Sequence, residues 1–367
     1  MKLLDRYILK QFLTTFIFVV LILLAVITVI DFTEKTDKYT KANLSALEIL
    51  GYYGDFLPWI AGLVTPITVF IATVYVTARL AGRTEIIAIL SSGVSFRRLL
   101  LPYAAGSILI ASTSFYFNGW VIPDSNKNRL AFEIAHLNKF ANPNLRNIHL
   151  QVSPNTFVFI QSYNNVTDNG YQFSLERFED NRLMEKLTAN RIVWDTTKQK
   201  WTMHDWKLKK IDNVFEGVKP DTIGSKHLSS GLTMDTTLII HPKEFKNDYR
   251  KYDGLTITEL FSYIDTLRSR GSAGIEMYEV ELYTRFASPF SIFILTFMGV
   301  IVSSKKNRGG TGYQIAVGFA LSFIFILFFM MFRTFAEAGS MPPQISVWIP
   351  TIIFGIISAF MYKYVPR

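Results

Sequence analysis

Six apolar stretches, three before and three after a long polar middle, constrain this chain more than any other feature. The first, residues 12–30, carries no charge and has the length of about 20 residues that a helix needs to cross a bilayer. Lys2, Arg6 and Lys10 precede it. No small-residue cleavage site follows, so the run reads as a retained first helix rather than a signal peptide. The second run, 56–78, contains Pro58, Gly62 and Pro66, which predicts a kinked or locally unwound span. The third covers 99–122, and the last three cover 286–302, 313–332 and 345–362. Only helices and closed barrels satisfy their backbone in hydrocarbon, and these runs have helical length.

Half of the 367 residues are hydrophobic, and the net charge is +9. That charge gathers at the ends of the apolar runs, which suits membrane topology rather than nucleic acid. The absence of cysteine rules out disulfides and thiolate sites. The N-terminus, the loop bearing Arg79, Arg83, Arg97 and Arg98, the loop with Lys305, Lys306 and Arg308, and the tail from Lys363 to Arg367 fall on one side, the cytoplasm. Three regions follow: 1–122 with helices 1–3, an extracytoplasmic 123–251, and 252–367 with a surface helix and helices 4–6.

The outer segment reads as β structure. Tyr171, Phe173 and Leu175 alternate with Gln172, Ser174 and Glu176, the period of a half-buried strand. Segments 155–163 and 190–194, and the run through Trp201, Met203, Trp206 and Leu208, continue the pattern. Short strands at this spacing favour a sandwich or jelly roll over a parallel sheet. Further on, Ile257, Leu260, Phe261, Ile264 and Leu267 form a helical stripe, expected at the membrane surface.

Within the loop 77–100, the segment 84–92 is too short to span yet almost wholly apolar in its middle. Thr84 suits an N-cap, Glu85 the positive end of the helix dipole, and Gly93 the far end. Such a helix must bury its surface on a soluble partner, in the headgroup layer or in its own bundle. Catalytic patterns are missing: RGGTGYQ at 308–314 lacks the lysine and hydroxyl of a phosphate-binding loop, no Gly-x-Ser-x-Gly occurs, and the five histidines show no metal-ligand spacing.

The opening LDRYI at 4–8, the arginine-flanked TEIIAILSSGVS, the RGGTG loop and AGSMPP before the last span, together with the three-plus-three layout, resemble the LptF/LptG family of lipopolysaccharide export permeases. The opening is more similar to the LptG members. The resemblance implies six transmembrane helices with an inserted periplasmic β-jelly roll. It also implies that two permeases, a sister LptF/LptG subunit or a second copy, pair over a dimer of a separate LptB-type ATPase. That ATPase would use the ATP and magnesium, so this chain would bind no cofactor and perform no catalysis. Lipopolysaccharide would leave the outer leaflet of the inner membrane and pass to the β domain, then to LptC and LptA-type bridge proteins. Thr84, Glu85, Ile86, Ile87, Ile89, Leu90 and Gly93 would form the coupling helix, with Glu85 meeting a basic group of the ATPase; the alternative for Glu85 is a first-turn residue favoured by the dipole alone. Arg97 and Arg98 read as topology anchors.

Asp31, Glu34 and Asp37 precede Lys35, Lys38 and Lys41 by four residues each, the favourable order on a helix. Two readings stand: a self-paired solvated helix, or lysines meeting lipid A phosphates. Asp31 stands where LptG-like chains can carry a lysine. Arg333 is either a phosphate contact or half of an ion pair with Glu337, Glu281 or the surroundings of Arg285. Gly312, Ala316 and Ala320 form a small-residue seam, either a gate surface or packing within the bundle. A permease for another lipid or lipoprotein, and a non-transporting anchor presenting a β domain, are the competing functions.

Overall fold

The structure is a computed structural model and describes residues 3–137, 144–153, 155–164, 167–180, 182–210, 228–238, 240, 242, 250–269, 274–304 and 310–363. The expected basic loop at 305–309 and the tail at 364–367 lie outside these residues. The chain forms two compact units: the helical one holds 1–138, 251–261 and 276–367, and the other holds 139–250 and 262–275.

In the helical unit, α1 (Leu3–Lys41) and α2 (Ala46–Gly82) are joined by a tight turn. Ser45 and Glu48 close it with a reciprocal capping box, which satisfies two otherwise orphaned backbone N–H groups. A short α3 (Glu85–Ser91) links α2 to α4 (Phe96–Tyr116). After a π-helical turn at Phe117–Val121 comes α5 (Ile122–His136). The chain after the strands contains α6 (Lys251–Gly254), α7 (Ile257–Ser269), whose residues from 262 on belong to the other unit, α8 (Ile275–Ser303), α9 (Gly310–Glu337), α10 (Pro343–Ser346) and α11 (Trp348–Tyr362). Among the described residues, six helical stretches are long and apolar enough to cross a membrane. The apolar core of the unit gathers Ile8 and Phe12 with Val69, Val76, Leu80, Leu99, Tyr103 and Ile292. Gly106 lets α4 approach α1: a Cβ there would sit 2.6 Å from the Phe12 ring.

One boundary moves. The third helix does not stop at 122 with the β domain beginning at 123; helical structure continues to His136, and the first strand starts at Asn144. Pro123 cannot donate a backbone hydrogen bond, but it falls at the start of α5, directly after the π-helical turn. There its missing donor and fixed φ do little harm.

The other unit holds one antiparallel sheet in the order β1-β2-β3-β4-β5-β6, so each strand pairs with its chain neighbours. The strands are β1 (Asn144–Ser153), β2 (Thr156–Asn164), β3 (Asn169–Glu179), β4 (Arg182–Asp195), β5 (Lys200–Lys210) and β6 (Leu228–Thr236). Asn147, Gln161, Gln172, Asn190, Asp205 and Leu232 fall in one row across all six, between flanking pairs such as Ile160↔Phe173 and Ser162↔Tyr171. All six are exposed. Asn147, Gln172 and Asp205, on alternate strands, have φ of 53°, 49° and 51°, the left-handed region that a side chain occupies at a cost of about 1–2 kcal/mol. Along this row the inward face changes parity: Ile160 is followed inward by Tyr163, Ala189 by Ile192, and Met203 by Trp206. The row is a corner that folds a single meander around one core. It also corrects one expectation: Tyr171 does not share the face of Phe173 but is 45% exposed, because the left-handed Gln172 turns it outward. Trp201 fills the core centre and donates its Nε1–H to the Ile240 carbonyl at 2.8 Å.

Candidate functional site

Helix α3 follows from its spacing. Ile86, Ile89 and Leu90 stand at i, i+3 and i+4, one side of a helix, and that side faces the bundle. Ile86 is only 2% exposed, and Ile89 and Leu90 pack partly buried against the same cluster as Leu80 and Leu99. Ile87 points away and is 49% exposed. Most of the apolar surface therefore has a home within the protein, and Ile86 is a core residue rather than docking area. Thr84 is not a side-chain cap: its backbone is left-handed (φ 61°), and its Oγ1 donates to the Arg83 carbonyl at 2.6 Å. Gly93 does close the far end, with φ 85° and its N–H on the Leu90 carbonyl at 3.1 Å.

The α3 connection is braced by the start of α1. Tyr7 Oη donates to Glu85 Oε2 at 3.2 Å, and Arg98 Nη2 meets the buried Asp5 Oδ2 at 2.6 Å. Arg83 lies 3.9 Å from Glu85. Arg98 is thus a structural partner of α1, whereas Arg97 donates to the Tyr362 hydroxyl at 3.2 Å.

At the opposite end of α1 a buried polar cluster joins α1, α2 and α5. Lys35, 4% exposed, lies 2.7 Å from Asp31 and donates to Tyr52 Oη at 2.5 Å. Tyr52 in turn donates to Glu133 Oε1 at 3.0 Å, and Tyr53 to Asp31 Oδ2 at 3.1 Å. Glu133 also accepts from Arg129 Nη1 at 3.0 Å, and the Arg129 guanidinium lies 4.1 Å above the Trp59 ring. Two acids and two bases balance, as buried charges require. Lys35 is therefore held inside the protein. Lys38 and Lys41 are exposed, and the expected pairs Glu34–Lys38 and Asp37–Lys41 do not form among the described residues; of the three, only Asp31–Lys35 does. Arg129, Glu133 and Tyr52 escaped the sequence reading, although Arg129 and Glu133 are i, i+4 on α5.

Arg333 is clamped between Glu281 Oε2 at 3.1 Å and Glu337 Oε1 at 2.7 Å. Arg285 holds Glu281 from the other side at 3.0 Å and donates to the Leu255 carbonyl at 2.6 Å. This network ties α8 to α9 and to the segment entering α7. The seam residues Gly312, Ala316 and Ala320 are all exposed, and nothing lies within 4 Å of a Cβ at Gly312. Instead, α9 packs through the next face, where a Cβ at Gly318 would meet Val74 at 2.9 Å. The seam is not used inside the described bundle.

Among the described residues, six helices of spanning length with a six-stranded β unit inserted between them in the chain define a multi-pass membrane protein with an inserted β domain. The sequence pattern described as "Lipopolysaccharide export system permease LptF/LptG" matches residues 6–364, and the chain belongs to that family. Two relatives are the lipopolysaccharide export system permease proteins LptG of Escherichia coli strain K12 and of strain O6:H1 (CFT073). Each is 21% identical over 360 residues, covering 98% of this chain and 97% of the relative. The protein is accordingly a multi-pass inner-membrane protein of a permease family.

Proposed function

We propose that this chain is the transmembrane subunit of an ATP-driven lipopolysaccharide exporter, with α3 docking on a separate ATPase. One observation carries the reading: α3 is anchored from beneath by Ile86, Ile89 and Leu90, and it presents Ile87 and the partly exposed Glu85 outward. A rigid helix with one apolar and one acidic feature outward fits a groove with a basic rim. In this reading the termini and α3 are cytoplasmic and the sheet is periplasmic. Lipopolysaccharide leaves the outer leaflet and reaches the β domain, whose meander of six strands stands where a jelly roll was expected and would be the first β element of a bridge that continues through LptC- and LptA-type proteins. An LptB-type ATPase dimer supplies ATP and magnesium chemistry, and a sister permease or a second copy completes the pair. The exposed seam of α9 supports a partner-facing or gate role. Lys38 and Lys41, which lack acidic partners among the described residues, are better placed than Lys35 or Arg333 to meet lipid phosphates.

Co-expression with the candidate ATPase of the same genome tests this. Wild type should retain the ATPase through purification, and Glu85→Arg should lose it. Failure of wild type to retain any ATPase, while other membrane complexes survive the same conditions, would favour the anchor reading.

A further inference from the structure

Near the α3 end, α4, α8 and α11 leave an open groove of about 490 Å³. Leu100, Leu101, Phe293, Phe297 and Ile301 wall it, and the small residues Ala104, Gly355 and Ala359 deepen it. All three helices belong to the helical unit. Its long dimension follows from the residues: Arg97 to Ala104 on α4 and Gly355 to Tyr362 on α11 each span seven positions, or about 10 Å. One leaflet of hydrocarbon is about 15 Å deep, so the groove covers about two-thirds of a leaflet, parallel to the chains. At its outer rim sits Arg97, which is exposed and whose contact is a neutral hydroxyl, that of Tyr362. Its neighbour Arg98 is neutralised by Asp5, whereas Arg97 has no ion pair among the described residues. The exposed Lys363 follows Tyr362 in the chain.

We propose that this groove is a binding site for one glycerophospholipid with an anionic headgroup, its acyl chain along the helices and its phosphate on Arg97. An apolar wall about 10 Å long that ends at a cation without an ion pair among the described residues matches an acyl chain joined to an anionic headgroup. The rim is cationic, which selects phosphatidylglycerol-like over zwitterionic headgroups. The proposal needs only that the helices span a membrane, so it can fail without touching the ATPase reading.

Native mass spectrometry of the full purified chain, titrated separately with phosphatidylglycerol and phosphatidylcholine of equal chain length, tests it. A basic side chain near anionic lipid contributes about 1 kcal/mol, or about fivefold. Phosphatidylglycerol should bind more tightly, and Arg97→Gln should weaken it about fivefold and phosphatidylcholine by clearly less, because choline already offsets the charge of its phosphate. Ala104→Trp, which fills the floor, should weaken both lipids at unchanged thermal stability; Arg79→Gln, an exposed arginine at the same end, should change neither. Equal binding of both lipids with no effect of Arg97→Gln would overturn the proposal. So would retention of phosphatidylglycerol by a stably folded Ala104→Trp protein, or its displacement by inorganic phosphate.

Discussion

Ile86 and Ile87 are adjacent and chemically identical, yet the structure gives them opposite fates. Ile86 is 2% exposed in the bundle core, and Ile87 is 49% exposed on the far side of α3. Truncating a buried isoleucine to alanine costs about 2–5 kcal/mol. For a unit of this size each kcal/mol shifts the melting temperature by about 2–4 °C. Ile86→Ala should therefore lower Tm by roughly 6–12 °C at a cost of about 3 kcal/mol. Ile87→Asp, a surface change, should stay within about 2 °C. The order reverses for the partner: burying an isoleucine in an interface contributes about 1.5–3 kcal/mol, so Ile87→Asp should weaken ATPase binding roughly ten- to hundredfold. Differential scanning fluorimetry of the purified chain and ATPase binding on an immobilised permease give the two readouts. Equal Tm losses for both variants would refute the assignment of the inward and outward faces. A large binding loss for Ile86→Ala in protein that remains folded, with none for Ile87→Asp, would refute the docking face.

Glu133→Gln strips the shared counter-charge from Arg129 and Lys35 while keeping the shape. Breaking a buried pair costs about 3–5 kcal/mol, so Tm should fall by at least about 6 °C, and Arg129→Gln/Glu133→Gln together should cost less than the sum of the single changes. Gln172→Gly should relieve left-handed strain at the sheet corner and raise resistance to denaturant by about 1 kcal/mol, whereas Ser174→Gly, two residues along the same strand, should lower it. At the start of α7, Glu259 accepts the Thr256 N–H at 2.8 Å, and that backbone bond holds its carboxyl below the ordinary value. The cap is then fully present above the unfolded pKa, near 4.3, and lost as pH falls through the depressed folded value. Amide exchange in α7 relative to Glu259→Gln should therefore converge only in acid, and convergence at neutral pH would contradict this.

Much of the helical unit was legible because bilayer thickness imposes run length directly on sequence. The inward stripe of α3 was also present in the letters: Ile86, Ile89 and Leu90 are i, i+3 and i+4, and counting all four apolar residues as one docking face ignored that period. The sheet corner was legible in the same way. Ile160–Tyr163, Ala189–Ile192 and Met203–Trp206 each take three steps where a flat strand takes two, and Gln172 separates Tyr171 from the face of Phe173. The continuation of helix past residue 122 was not legible, because a proline at a helix start and a proline ending a helix look alike until the preceding turn is seen. The Asp5–Arg98 and Tyr52–Glu133 contacts were not legible, since nothing local specifies partners 93 and 81 residues apart.

These distant contacts determine how α1 is held. Its fully buried residues are Asp5, Ile8 and Phe12 at one end and Lys35 and Tyr39 at the other. From Phe12 to Lys35 is about 34 Å of helix, close to the thickness of the hydrocarbon core, and no residue between them is fully buried. In lipid such a face carries no hydrophobic penalty, so α1 is held most firmly at its ends, while partly buried Leu24 and Ile27 join its middle to α2. The end near α3 is fastened by Tyr7–Glu85 to α3 and by Asp5–Arg98 to the start of α4. Removing the charge of Asp5 should loosen only that end. A charge-assisted hydrogen bond contributes about 1.5–3 kcal/mol, so Asp5→Asn should speed amide exchange in residues 7–12, the first with intrahelical bonds to lose, roughly ten- to hundredfold and leave 31–39 unchanged. Exchange that rises equally at both ends would mean that α1 detaches as one body, and the two fastenings could not act separately.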